Sequence, residues 1–164
     1  MAYLRAPQGA VTGGCIFCDK LRASADQDRD NLLLWRGERA FVMMNLYPYV
    51  NGHLMVAPTQ HTGNLDELDG ETLKEIMLLV NQAIRALRRV MNPHAFNVGA
   101  NLGRAAGAGV KDHVHFHIVP RWDGDTNFMP VLADTRMIPE LLPQTYDHLL
   151  AAFKEPEHET NGGS

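Results

Sequence analysis

His113-Val114-His115-Phe116-His117-Ile118-Val119-Pro120 alternates histidine with large apolar residues. In an extended strand successive side chains point to opposite faces, so His113, His115 and His117 share one face and Val114, Phe116 and Ile118 the other. The apolar face can sit on a core. The histidine face is poor core material, because every buried imidazole needs hydrogen-bond partners. Such a face suits chemistry or metal binding, with a merely polar strand face as the plainer alternative.

Immediately upstream lies a glycine-rich loop, Asn101-Leu102-Gly103-Arg104-Ala105-Ala106-Gly107-Ala108-Gly109. Glycines such as Gly107 and Gly109 let backbone N–H groups approach an anion closely. No Gly-Lys-Ser/Thr follows, so this is not a Walker loop. Beside a histidine face it is a candidate phosphate cradle; the alternative is a flexible hairpin connection. A neutral imidazole is a competent nucleophile near pH 7. It can attack phosphorus with one ring nitrogen while the other holds its proton on a fixed acceptor. Flanking histidines can then donate hydrogen bonds to the non-bridging oxygens.

The two cysteines form a single Cys15-Ile16-Phe17-Cys18. Two thiols at this spacing read as half of a metal site, as a redox pair, or as two buried unliganded cysteines. The eight histidines could complete a tetrahedral set.

Working outward, Asn31 to Arg36, Ala40 to Met44, His53 to Pro58 and His94 to Ala100 read as strands, with turns at Gly37-Glu38 and Asn51-Gly52. A short helical turn is expected after Cys18. Gly70 to Met91 is the clearest helix, with Asp69 as N-cap. Leu73, Ile76, Met77, Val80, Ala83, Ile84, Leu87 and Val90 form its apolar stripe. Arg85, Arg88 and Arg89 near its C-terminal end are expected to be a solvated face. Phe128 to Ala133 could add a strand, and Pro139 to Phe153 reads as helical with a break near Pro143. Residues 1–13 read as a loose arm and residues 155–164 as a disordered tail after a single domain over 1–154. The pattern is α+β: a largely antiparallel sheet covered by one long helix, with a C-terminal helical segment.

A net charge of -4 argues against a nucleic-acid polymer as partner. No apolar run approaches a membrane span, and no signal pattern opens the chain, so the expected location is cytoplasmic.

His113 to Val119 matches the His-φ-His-φ-His-φ-φ signature (φ apolar) of the histidine-triad family at every position. The resemblance runs from Cys15 to about residue 130 and includes Asn45, Gly52-His53-Leu54-Met55-Val56-Ala57-Pro58 and Asn101-Leu102-Gly103. It implies an antiparallel sheet with a long helix, assembled as a homodimer through that helix and a sheet edge. It also implies cleavage of nucleotidyl phosphate bonds by in-line attack at the α-phosphorus. His115 would be the nucleophile, forming a covalent nucleotidyl-histidine that a second acceptor releases. His117 would contact the phosphate and His53 would lie beside the nucleophile. Asn45 would bind a ribose hydroxyl and Asn101 the phosphate side. No catalytic metal is required.

Some bacterial members carry a structural zinc, and their four ligands correspond to Cys15, Cys18, His61 and His113. His94 and His148 then read as ordinary surface or capping histidines. Asn45-Leu46-Tyr47-Pro48-Tyr49, Phe96-Asn97-Val98-Gly99, Pro120-Arg121-Trp122, Gly124-Asp125 and Asn127-Phe128 most resemble the diadenosine tetraphosphate phosphorylase branch. There inorganic phosphate replaces water as acceptor of the nucleotidyl group. The chain departs from many members in lacking a Gln-Ser or Gln-Thr pair before the first histidine. It reads Ala108-Gly109-Val110-Lys111-Asp112 instead, in a loop one residue longer than in the smaller hydrolases, with Lys111 expected to be solvated. The expected activity is therefore hydrolysis or phosphorolysis of dinucleoside polyphosphates. The alternatives are a nucleoside phosphoramidase and a zinc-stabilised nucleotide-binding protein with little catalysis.

Overall fold

Histidine–apolar alternation at residues 113–119 is realised in an antiparallel sheet whose two faces meet different surroundings. The computed structural model describes residues 14–48, 50–125 and 142–155. Five strands, β1 (Leu33–Arg36), β2 (Ala40–Met44), β3 (Leu54–Pro58), β4 (Ala95–Ala100) and β5 (Phe116–Arg121), run in the order β1-β2-β3-β5-β4. All neighbours are antiparallel. Among the described residues three α-helices accompany them: α1 (Ile16–Arg22), α2 (Gly70–Met91) and α3 (Leu142–Lys154). The α+β expectation holds.

The histidine strand is shorter than its sequence pattern. The β3 and β4 ladders both end at Phe116, opposite Val56 and Ala100. Before that point Val114 N–H bonds instead to Thr62 O, at 2.7 Å. The alternation survives this change of partner. Val114, Phe116 and Ile118 face the main core, beneath α2 and α3, and the three histidines face the other way.

Helix α2 begins and ends where its sequence signals lie. Asp69 accepts Thr72 N–H at 2.7 Å as N-cap, and Asn92 closes the helix in the left-handed region at φ 47°. Its buried stripe is Thr72, Ile76, Leu79, Val80, Ala83, Ala86 and Leu87. Met77 is 48% exposed, contrary to expectation. At 100° per residue it lies about 120° from the stripe's centre, past the edge of the buried face. Arg85, Arg88 and Arg89 are all exposed, as expected of a solvated face, and Arg88 and Arg89 also make contacts. The Arg88 guanidinium lies 5.6 Å from the Phe96 ring centre, and Arg89 donates to Ala152 O at 3.3 Å. These two residues fasten the helix end to β4 and α3.

Pro143 does not break the C-terminal helix. It sits in the first turn of α3, where a missing N–H leaves no helical bond unmade. Tyr146 anchors that helix by donating to Leu33 O at 2.8 Å. The expected arm at 1–13, the strand at 128–133 and the tail beyond residue 155 lie outside the described residues. Among those described, no helix is long and apolar enough to cross a membrane.

On the opposite face of the sheet Phe17, Leu33, Phe41, Met43, Met55 and Ala57 form a second, smaller cluster. Met43 pairs with Met55, and Met55 with His117. One line of side chains thus runs from apolar residues straight into the histidines.

Candidate functional site

Four histidines meet at the end of this face. His53 precedes β3 and His117 lies within β5, two residues out of register with each other, so they reach the same side of the sheet. His53 and His113 are almost wholly buried, His115 is 5% exposed and His117 is half-buried. Gly99 pairs with His117 across β4, and a Cβ built on it would meet nothing within 4 Å. The histidine face is therefore open on that side.

Hydrogen bonds determine which ring nitrogen carries each proton. Tyr47 N–H donates to Asn45 Oδ1 at 3.0 Å, which turns the Asn45 amide nitrogen toward His53. That nitrogen donates to His53 Nδ1 at 3.3 Å, so the His53 proton sits on Nε2. His53 Nε2–H in turn donates to His117 Nδ1 at 2.9 Å. His117 therefore carries its proton on Nε2. His115 has the other polarity: its Nδ1–H donates to the His113 carbonyl at 2.9 Å, leaving Nε2 as the lone-pair nitrogen. The His115 and His117 rings meet edge to face, centres 4.8 Å apart. A ring that keeps its Nε2 lone pair thus abuts a ring that carries an N–H donor, with both tautomers set by the backbone and Asn45.

Burial keeps these rings neutral. Desolvation first, then the neighbouring His117 and His115, push His53 down to about 4. Desolvation, then His115, push His117 down to about 4. Burial also lowers His115, opposed by its bond to the His113 carbonyl. Unfolded imidazoles titrate near ~6.5. Between about 6.5 and about 4 the unfolded chain therefore binds more protons than the folded one, and stability falls as the pH falls through that window. Above it the stabilisation is fully present. The denaturant midpoint should be lower at pH 5 than at pH 7.5, and the drop should shrink in His117→Asn. An equal drop in both proteins would remove the buried pair as its cause.

Asn101 follows Ala100, whose pairing with Phe116 ends the β4–β5 ladder one residue short of His115. Gly107 N–H closes a 3-10 turn onto Arg104 O at 3.0 Å, with φ 88°. Gly107 therefore shapes the loop with that N–H instead of offering it to an anion. Gly109 has nothing within 4 Å of where a Cβ would stand. Lys111 is exposed and pairs with Asp112 at 2.7 Å, as a solvated lysine would.

Behind the histidines lies a second cluster. Cys15, Cys18, His61 and His113 each turn one ligand atom inward, all within 4.8 Å of one another. His113 Nδ1 lies 3.3 Å from Cys15 Sγ, 3.6 Å from Cys18 Sγ and 3.3 Å from His61 Nδ1. Cys18 Sγ lies 3.4 Å from His61 Nδ1. His113 Nε2–H donates to Pro58 O at 2.9 Å, so its Nδ1 lone pair faces the cluster. Metal-ligating histidines are usually oriented by such a second bond. Two thiols and two imidazoles at these separations can hold one tetrahedral metal ion.

The His61 loop reaches His113 because Gly63 lies against the backbone there. A Cβ at Gly63 would come within 2.2 Å of Lys111 O. Neither Gly63 nor the Asn45–His53–His117 relay stands out in the sequence, because each depends on contacts between distant segments. His94 accepts Asp123 N–H at 3.0 Å, and His148 is exposed; both lie outside these clusters.

The family model described as HIT domain matches residues 27–124. A Mycobacterium tuberculosis protein named AP-4-A phosphorylase is 42% identical over 118 residues, covering 72% of this chain but only 60% of its own length. An adenosine 5'-monophosphoramidase of Schizosaccharomyces pombe is 33% identical over 107 residues, covering 65% of this chain and 74% of its own. The crystal structure of a Zn-bound histidine triad family protein from Mycobacterium smegmatis superposes with a TM-score of 0.67 at 27% identity. That match covers 85% of this chain and 93% of the other.

Proposed function

Since this chain belongs to the HIT domain family, we propose that it transfers a nucleotidyl group from a dinucleoside polyphosphate to a second acceptor, with His115 as nucleophile. One observation carries the reading: the His113 carbonyl holds the Nδ1 proton of His115, leaving the Nε2 lone pair beside His117.

In the first step His115 Nε2 attacks the α-phosphorus in line. The N–P bond forms as the P–O bond to the leaving polyphosphate breaks, and the leaving oxygen departs with its electron pair. The ring becomes positive, and its Nδ1–H bond to the His113 carbonyl strengthens as it does so. His117 Nε2–H donates to the oxygens that gain charge. In the second step an oxygen of water or inorganic phosphate attacks phosphorus, breaks the N–P bond and returns His115 to neutral. Asn101, the residue after the ladder ends beside Phe116, would suit the phosphate side, and Gly107 and Gly109 would shape the loop above it. Asn45 would meet the ribose from a position where it also orients His53.

The AP-4-A phosphorylase relative favours phosphate as acceptor. The monophosphoramidase relative favours the second reading, in which the same nucleophile expels an amine. Product analysis separates them. Diadenosine tetraphosphate should yield ADP plus ATP only when phosphate is present. Faster turnover of an adenosine phosphoramidate, with no phosphate dependence, would select the second reading. Saturable nucleotide binding without turnover of either would leave only a binding protein.

We assign zinc to the four-residue cluster. Zn–N near ~2.05 Å and Zn–S near ~2.3 Å in a tetrahedron place nitrogens about 3.3 Å apart and N–S pairs about 3.6 Å apart. The N–N separation of 3.3 Å and the N–S separations of 3.3, 3.4 and 3.6 Å lie near those values. When bound, the ion is structural, because four protein ligands leave no open position for chemistry. The exposed Val98 on edge strand β4 and exposed Met77 and Leu78 on α2 suit burial against a second copy in a homodimer. Light scattering on the same preparation would report that mass. Cys15 and Cys18 as free thiols suit a reducing cytoplasm.

A further inference from the structure

Phe17 lies between the two cysteines of Cys15-Ile16-Phe17-Cys18 and is 2% exposed. Its ring centre is 4.8 Å from that of His115, with the planes 39° apart, and 5.1 Å from that of His113. His117 approaches His115 edge-on, at 72°. The Nδ1 bond to the His113 carbonyl anchors one atom of the His115 ring. It sets the plane of that ring poorly, because the last torsion of a histidine is broad. What rests on the ring faces must choose the plane, and hence the direction of the Nε2 lone pair.

Helix α1 carries Phe17 and has seven residues, too few to hold itself in water. Its C-terminal end is tied to the sheet. Arg36 donates to Leu21 O at 2.5 Å and to Ala23 O at 2.9 Å, and Lys20 donates to Asn31 O at 2.9 Å. Its N-terminal end is tied by Cys15 and Cys18, whose sulfurs close on His113 Nδ1. Metal ligands thus flank Phe17 on both sides. A third ligand, His113, supplies the carbonyl that holds the nucleophile.

We propose that Phe17 is a positioning residue that sets the plane of the His115 imidazole, and that the Cys15–Cys18–His61–His113 metal centre clamps it there. The inference rests on the reading of His115 as nucleophile. Phe17 touches no reacting atom in this account; it acts through the ring it supports. The metal centre and the nucleophile are then one mechanical unit, joined through Phe17 and through His113.

The test uses metal-loaded full-length protein labelled with 15N-histidine, as wild type, F17L and F17A. Expected are one metal per chain in all three and KM within about twofold. Misaimed reacting groups lose rate steeply, so kcat should fall about tenfold in F17L and about 100-fold in F17A. The His115 ring-nitrogen signals should move from one tautomer toward averaged values, while those of His53 and His117 hold. Chelation of the wild type should shift the His115 signals in the same way, a readout that needs no turnover. Wild-type kcat and unmoved His115 signals in the variants would overturn the positioning role. A loss confined to KM would do the same, making Phe17 a wall of the nucleotide site. Unmoved His115 signals after chelation would overturn the clamp. F17L decides alone should F17A not fold. Turnover retained in H115A would instead overturn the nucleophile reading, a result these signals do not depend on.

Discussion

Replacing His115 by alanine is expected to lower turnover of diadenosine tetraphosphate by on the order of 10⁴-fold or more, with nucleotide affinity largely kept. The substitution removes the nitrogen that, among the described histidines, the hydrogen-bond pattern leaves as a lone pair beside a ring carrying an N–H donor. No neighbour can replace it. His117 spends its Nδ1 lone pair on His53 and carries a proton on Nε2, and His53 spends its own on Asn45. The His113 Nδ1 lone pair faces the metal cluster. Binding should survive because the groups proposed for the ribose and phosphate side, Asn45 and Asn101, lie on other segments. Single-turnover kinetics and nucleotide titration on one preparation would measure both. Turnover within tenfold of wild type would end the proposal of a nucleotidyl-histidine.

Removing the metal is expected to cost about 10 °C or more in Tm. Each kcal/mol moves a domain of about 150 residues by roughly 3 °C, and structural zinc contributes several kcal/mol to the fold that binds it. The loss should be large because the four ligands come from three separate places: the start of α1, the loop after β3 and the segment before β5. Without the ion, two histidine Nδ1 atoms 3.3 Å apart and two thiols have only one another. Purified protein should carry about one zinc per chain, the stoichiometry of a closed tetrahedral site. C15S and C18S should each lose it and melt early. Metal-free protein that melts with the wild type would show that the four residues merely pack together.

Some of this was legible before any coordinates. The strict alternation from His113 to Ile118 assigned the two faces, because side-chain direction in an extended chain depends only on parity. The ends of α2 were legible because capping is local chemistry: Asp69 serves Thr72 three residues on, and Asn92 tolerates the left-handed turn. The family resemblance supplied Cys15, Cys18, His61 and His113 as a set, and the structure brings all four together. Met77 shares the three-and-four spacing of the stripe yet lies beyond its buried edge, where spacing alone is ambiguous. In the sequence Pro143 suggests a break because the start of α3 has no clear marker; it falls in the helix's first turn.

The sequence by itself determined the elements, the two faces of the sheet and the residue types available for chemistry. Only the tertiary structure decided which ring nitrogens hold protons and what rests on each ring. Asn45 meets His53 across a turn, His53 meets His117 across two strands, and Phe17 reaches His115 from 98 positions upstream. Tautomer and ring plane are set by such contacts within a few ångströms, and one-dimensional spacing carries no information about them.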